Sequence, residues 1–418
     1  MKQGEAQELP HQQHLTLATF AVVTIVAIAN LGNNIAAPVI PDIRSHFGSS
    51  AAEAGLVASG FALGRLLMDL PAGLLADRFS ITKLFAVGIL VSSTAGAGAG
   101  LSNSLYLLVF FRVVTGLGCA LMTTVAIVLI VDIAGPYRRG EALSYYSSAL
   151  LAGQALSPVL GGMVATFFDW RAVFFFCAAT PLASLPLNLI VTSRVANTHQ
   201  PRKSAANPGH HKAASTRSTG YALGRTDWPA LVAVYFSTFV NFFNRQAMRQ
   251  SLLPLYGSMM LAMSPGSIGT ILTVGSLLTI LVTLPGGRVA DRIGRKPLLI
   301  PGLMVLGLGN LSLFLGQDQL YFIVATVLVS MGVMANSMQS GLVADLLPER
   351  LMGRGMGMYR FVGDFGMLIG PIILGVVVDS FGFPAALMVG SLVVLAGILS
   401  VLVFVPSRSV LEQKRSVC

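Results

Sequence analysis

Residues 71–83 read PAGLLADRFSITK and residues 285–296 read PGGRVADRIGRK, two short polar joints set in long apolar surroundings. Pro71 and Pro285, Gly73 and Gly287, and Asp77 and Asp291 stand 214 residues apart. Outward from the joints the punctuation recurs at nearly the same offset. Pro41 matches Pro254, Asp132 matches Asp345, Pro158 matches Pro371 and Gly162 matches Gly375, each 213 apart. Prolines, acids and glycines align this way when one half of a chain duplicates the other. Between these marks lie twelve apolar stretches near 15–40, 53–76, 84–101, 105–131, 142–167, 171–193, 229–255, 266–287, 297–316, 319–344, 356–378 and 384–405. Most approach the ~20 residues needed to cross a hydrocarbon layer. They are numbered spans 1 to 12 below. The expected fold is an all-α polytopic membrane protein, with twelve transmembrane helices in two pseudo-symmetric six-helix bundles.

Composition agrees. Of 418 residues, 54% are hydrophobic and 11% charged, against about 25% charged in soluble domains. The first apolar run is too long for a signal-peptide core and reads as an uncleaved helix. Cys119, Cys177 and Cys418 have no ligand spacing and suggest neither disulfide nor metal. Residues 194–228 are polar, rich in Ser, Ala, Pro and His, and lack apolar periodicity. They read as a flexible linker between a first bundle over 1–193 and a second bundle with a short tail over 229–418.

The net charge of +10 could suggest nucleic acid, but its placement says otherwise. With both termini cytoplasmic, 20 of the 27 basic residues fall on the cytoplasmic side. Only Arg44 and Arg171 fall outside, and Arg65, Arg112, Arg245, Arg249 and Arg360 lie within spans. This bias sets the orientation, and its spread over short loops makes lipid the partner and excludes nucleic acid. All six histidines lie in tails or loops and no GxxxxGK loop is present, so neither catalysis nor ATP coupling is expected.

The segment Gly286–Lys296 resembles the loop between the second and third helices of each half in the major facilitator superfamily. Gly287, Asp291, Arg292, Gly294, Arg295 and Lys296 match its pattern. The first copy keeps Gly73, Asp77 and Arg78, but has Ser80 in place of the second glycine and a displaced Lys83. Arg112 and Gly116 are spaced like a second family motif. Gly153, Pro158, Gly161 and Gly162 resemble the pattern associated with antiporters, with Ser157 in place of a glycine. Asp169, Trp170 and Arg171 look like the twelve-helix drug and metabolite exporters. The resemblance implies a proton-coupled secondary transporter, monomeric and in the cell (inner) membrane. It would export small anionic, zwitterionic or neutral amphipathic compounds by alternating access, without a cofactor. A proton symporter for an organic anion and a non-transporting receptor are the alternatives. The joint residues, with Asp132 beside Arg138 and Arg139 and Asp345 beside Arg350 and Arg354, are the expected cytoplasmic gate.

Polar side chains inside spans mark the expected cavity, which spans 1, 4, 7 and 10 line in proteins of this resemblance. They are Asn30, Asn33, Asn34, Arg112, Gln154, Asn241, Asn244, Arg245, Asn336 and Gln339. Interhelical hydrogen bonds, worth about 0.6 kcal/mol each, are the other use for such residues. Spans 2 and 11 carry Arg65, Asp69, Arg360 and Asp364. Counted from the cytoplasmic edge, Asp69 and Arg65 lie at ~12 and ~18 Å, Arg360 and Asp364 at ~9 and ~15 Å. In proteins of this resemblance spans 2 and 11 meet between the halves, so the depths predict cross-bundle pairs, Asp69 with Arg360 and Arg65 with Asp364, that close the cytoplasmic side. Asp69 or Asp364 takes up a proton when they separate.

Overall fold

The protein is seen here as a computed structural model describing residues 22–28, 30–32, 34–186, 228–348 and 351–406. Only the backbone is described at 70, 77, 132, 133, 135–140, 284, 285, 287, 288, 291 and 292. Among the described residues every regular element is helical. Eight helices are long and apolar enough alone to cross a membrane. They hold spans 2 to 5 and 8 to 12, because Met352–Phe404 carries two spans parted at Gly382, whose φ of 81° breaks the helix. The shorter apolar helix Trp170–Ala183 is span 6.

Spans 1 and 7 complete the twelve, each crossing in pieces rather than as one helix. Span 1 is helical over 22–28 and 30–31, turns at 34–36, tightens through Ala37–Val39 and resumes as Ile40–Phe47. Span 7 runs Trp228–Ala247, widens into a π turn at Met248–Leu252, and continues as Leu253–Leu261. The duplicated Pro41 and Pro254 account for both breaks. Proline donates no N–H and its ring crowds the carbonyl four residues back, so the preceding turn tightens or widens.

One face carries the joints after Arg78 and Ile293 and is called the basic face below. On the opposite face five helix starts are capped by short polar side chains. Ser50, Ser104, Asp169, Ser264 and Asp318 each accept from a backbone N–H of the first turn. Such caps satisfy donors that the helix leaves free.

Two seams join the halves, spans 2 with 11 and spans 5 with 8. In both, a proline of one helix lies against a glycine of the other. A methyl group added at Gly55 would meet the Pro371 carbonyl at 2.8 Å, and one at Gly269 would run into the Pro158 carbonyl. Among the described residues, several hydrogen bonds between the halves lie between mid-depth and the opposite face. They join Gln250 to Asn34, Val159 to Thr273, Gly266 to Thr166, and Ala51 and Ala52 to Asp379. Toward the basic face Gly73, Gly353 and Gly357 have nothing within 4 Å of an added Cβ. The halves therefore meet on the opposite face and part toward the basic one.

Candidate functional site: a charged cavity between the halves

A central cavity of about 310 Å³ lies where the halves part. Spans 1, 2, 5, 7, 10 and 11 all contribute, through Asn34, Arg65, Gln154, Arg245, Asn336 and Asp364 among others. Apolar wall comes from Phe61, Leu150, Leu151, Phe242 and Met367.

Of the polar residues picked from sequence, Asn34, Gln154, Arg245 and Asn336 line the cavity. Five others do not, and that expectation is corrected. Asn30, Arg112, Asn241, Asn244 and Gln339 are at most 3% exposed, and each is turned into helix contacts. Arg112 of span 4 donates to the Val57 carbonyl at 3.2 Å and stacks over Phe61 at 4.7 Å, tying span 4 to span 2. Asn30 donates back to the Val26 carbonyl at 2.8 Å. Asn241 reaches Asn336 at 2.7 Å and Gln339 at 3.3 Å, and Gln339 donates to Ser237. Asn244 donates to the Gly390 carbonyl of span 12 at 3.0 Å. Which of these side chains faces the cavity depends on how each helix packs, and counting along the chain does not give it. Asn33 lies outside the described residues.

Residues without a sequence flag also line the site. Gln246, Arg249 and Gln250 follow Arg245 on span 7, and Tyr146 of span 5 stands opposite. The spacing of Arg245, Gln246, Arg249 and Gln250 marks one helical face and could have found them. Gln250 donates to Asn34 at 2.5 Å, so the π turn of span 7 meets the broken part of span 1 across the halves. Asn34 in turn donates to the Gln154 carbonyl at 3.3 Å.

Arg65, Arg360 and Asp364 reach the cavity from the 2–11 seam. Asp364, 5% exposed, lies beside Asp69, with Arg65 and Arg360 within electrostatic reach. No ion pair closes within this quartet of described residues. Both Asp69 oxygens are buried and accept from no donor in the deprotonated form. A hydrogen bond between two carboxyls needs a proton on one of them. The ~3 Å by which Asp69 and Asp364 differ in counted depth could not separate this arrangement from the predicted one.

At the basic face, Arg295 pairs with Asp345 at 2.5 Å and donates to the Gly341 carbonyl. Asp345 was expected beside Arg350 and Arg354. The joint's own Arg295 also joins it, because the joint after span 8 folds onto the end of span 10, and Arg350 lies outside the described residues. Lys296 donates to the Leu402 carbonyl at 3.2 Å and to that of Val405, holding the end of span 12. Gly294, with φ 99°, ends the span 8 helix at the glycine of the motif. Arg78 is exposed. The side chains of Asp77, Asp132, Asp291 and Arg292, and the surroundings of Gly287, lie outside the description.

Twelve helices in duplicated halves around a charged cavity open to one face define a secondary transporter. The family model of the Major Facilitator Superfamily matches residues 22–244 and again 234–417. The chain belongs to that superfamily. It is 22% identical over 360 residues to multidrug resistance protein 2 of Bacillus subtilis (strain 168), covering 85% of this chain and 87% of that protein. It is 33% identical over 168 residues to the tetracenomycin C resistance and export protein of Streptomyces glaucescens, covering 40% of this chain and 29% of that protein. Among solved structures, a bacterial homologue of the human lysosomal transporter Spinster, inward-facing and unoccupied, superposes with a TM-score of 0.69. That match has 16% identity and covers 96% of this chain and 97% of the other.

Proposed function

We propose that the chain is a proton-coupled exporter of small amphipathic drugs or metabolites, anionic, zwitterionic or neutral, working by alternating access. It would act as a monomer in the cell (inner) membrane, with both termini and the basic face in the cytoplasm. Residues 1–193 and 229–418 would be its rocking halves, joined by a flexible linker over 194–228. That linker lies outside the described residues except for Trp228, which begins span 7.

One observation carries the reading: the Asp69–Asp364 carboxyl pair spans the seam between the halves at the cavity wall. Two buried carboxylates in contact repel unless a proton is shared. In the outward-open state, closure of the basic side would instead draw each acid onto an arginine, Asp69 with Arg360 and Arg65 with Asp364. A proton arriving from the outside breaks those ion pairs, and the seam opens toward the cytoplasm with the proton held between the acids. Its release to cytoplasmic water restores the pairs. The export direction draws support from the name of the Streptomyces relative above.

The test is transport in liposomes under an imposed pH gradient, with a panel of anionic, zwitterionic, neutral and cationic amphiphiles loaded in either direction. Asp69→Asn and Asp364→Asn should each lower gradient-driven transport about tenfold, a step equivalent to 1.4 kcal/mol, while substrate exchange without a gradient persists. If both variants keep full gradient-driven transport, the proposal is wrong. Movement of an organic anion in the same direction as protons would establish the symport alternative, which the cavity arginines would also suit.

A further inference from the structure

We infer that the cavity binds the anionic group of its ligand between Arg245 and Arg249 of span 7, with the ligand's apolar body against the neighbouring aromatic wall. The inference rests on the reading of this cavity as the transport site and narrows it to organic anions.

Charge balance is the first argument. Four arginines line the cavity, Arg65, Arg245, Arg249 and Arg360, against one lining carboxyl, Asp364. With Asp69 behind it, Asp364 supplies counter-charge at the 2–11 seam. Nothing comparable is bonded to span 7. Among the described residues Arg245 is bonded to no acid: it reaches the Met367 sulfur at 3.8 Å and lies over the Phe242 ring at 4.9 Å, with Asp364 at longer electrostatic range. Arg249, 9% exposed, donates to the Leu272 carbonyl at 3.3 Å and to Ser276, both neutral acceptors. The two stand one turn apart, where like charges on a helix repel, and low-dielectric surroundings sharpen that repulsion. An anion held between them would relieve it and add charge-assisted hydrogen bonds.

Arg112 makes the contrast that gives the argument its content. It too is buried without an acid, but a backbone carbonyl and a ring hold it and it does not line this cavity. Arg245 and Arg249 differ in facing open space. The lining around them is mixed. Phe242 and Met367 present apolar surface, while Gln246 and Gln250 offer neutral amides. Aromatic wall beside paired guanidiniums fits a carboxylate or sulfonate carried on an apolar body better than a small inorganic anion. A volume of about 310 Å³ admits one compact molecule of that kind.

Three probes of one shape test this: 2-naphthoate, 2-naphthalenemethanol and 2-naphthylmethylamine, with sulfate and acetate as headgroup-only competitors. Binding is measured by equilibrium dialysis on the purified full-length protein. Naphthoate should bind about tenfold tighter than the alcohol, and the amine more weakly than either. Arg245→Gln and Arg249→Gln should each bring naphthoate to within about threefold of the alcohol while the alcohol's own affinity holds. The wild-type probe series decides even if a variant fails to fold. Equal or tighter binding of the amine overturns the inference, as does a naphthoate preference that survives both substitutions. Competition by sulfate or acetate as strong as by naphthoate overturns the amphiphile part. Gradient-driven transport is scored separately. Arginine-dependent naphthoate binding without it would sink the exporter reading and spare this site. Gradient-driven movement of the amine in preference would overturn this site and the exporter's substrate class while sparing its proton coupling.

Discussion

The two seams between the halves share a backbone and differ in chemistry. Pro371 on Gly55 and Pro158 on Gly269 are the same contact by the repeat. Their outer ends match as well. Asp379 of span 11 accepts from the Ala51 and Ala52 amides at 2.7 and 2.8 Å, and its counterpart Thr166 of span 5 accepts from the Gly266 amide at 3.1 Å. Toward the basic face the likeness ends. The 2–11 seam carries Arg65, Asp69, Arg360 and Asp364, where the 5–8 seam carries Ser147, Leu151, Thr279 and Thr283. Duplication supplied two like seams, and ionisable groups stand on one of them. The neutral seam keeps the fit without the charge.

Breaking the shared part should have the largest effect. Gly55→Leu and Gly269→Leu should each prop the halves apart on the opposite face. Overpacking costs roughly 1–3 kcal/mol, so the balance of states should move about five- to a hundredfold toward opening there. Labelling of single cysteines placed on the opposite face reads this directly, and similar shifts at both seams are expected.

The charged part should break on one seam only. Asp69→Arg and Arg360→Asp should each lower gradient-driven transport about tenfold, and their combination should recover most of it. Thr283→Ala on the neutral seam should stay within about twofold. Transport that is equally sensitive at both seams would erase the distinction.

The outer latches give the smallest effect and the finest comparison. Asp379→Asn should favour opening on the opposite face by about 1 kcal/mol, because a charged acceptor on a helix start is lost. Thr166→Val should do so by about 0.5 kcal/mol, the weaker value of a neutral hydrogen bond. The same labelling assay resolves the order, and a larger shift for Thr166→Val would contradict it.

Much of the fold was legible in the chain because it rests on properties that add along a helix. Apolar length decides what can cross a membrane, and recurring Pro41, Pro71, Asp132 and Pro158 reveal duplication. Even the breaks in spans 1 and 7 have a visible cause in Pro41 and Pro254, although the widened turn that brings Gln250 to Asn34 does not follow from composition.

Tertiary structure alone decided which polar side chains share the cavity and which acid meets which partner. A residue's depth follows from its position in the count, but its facing depends on the rotation of the helix against all its neighbours. Arg112 and Arg245 are both intramembrane arginines without a nearby acid in sequence, yet one is enclosed by span 2 and the other opens onto the cavity. Asp364 could have met Arg65 or Asp69 at almost the same depth. The packing of spans 2 and 11 in a state open to the basic face set it beside Asp69, because contacts form between the groups that packing brings together, whatever the order of the chain.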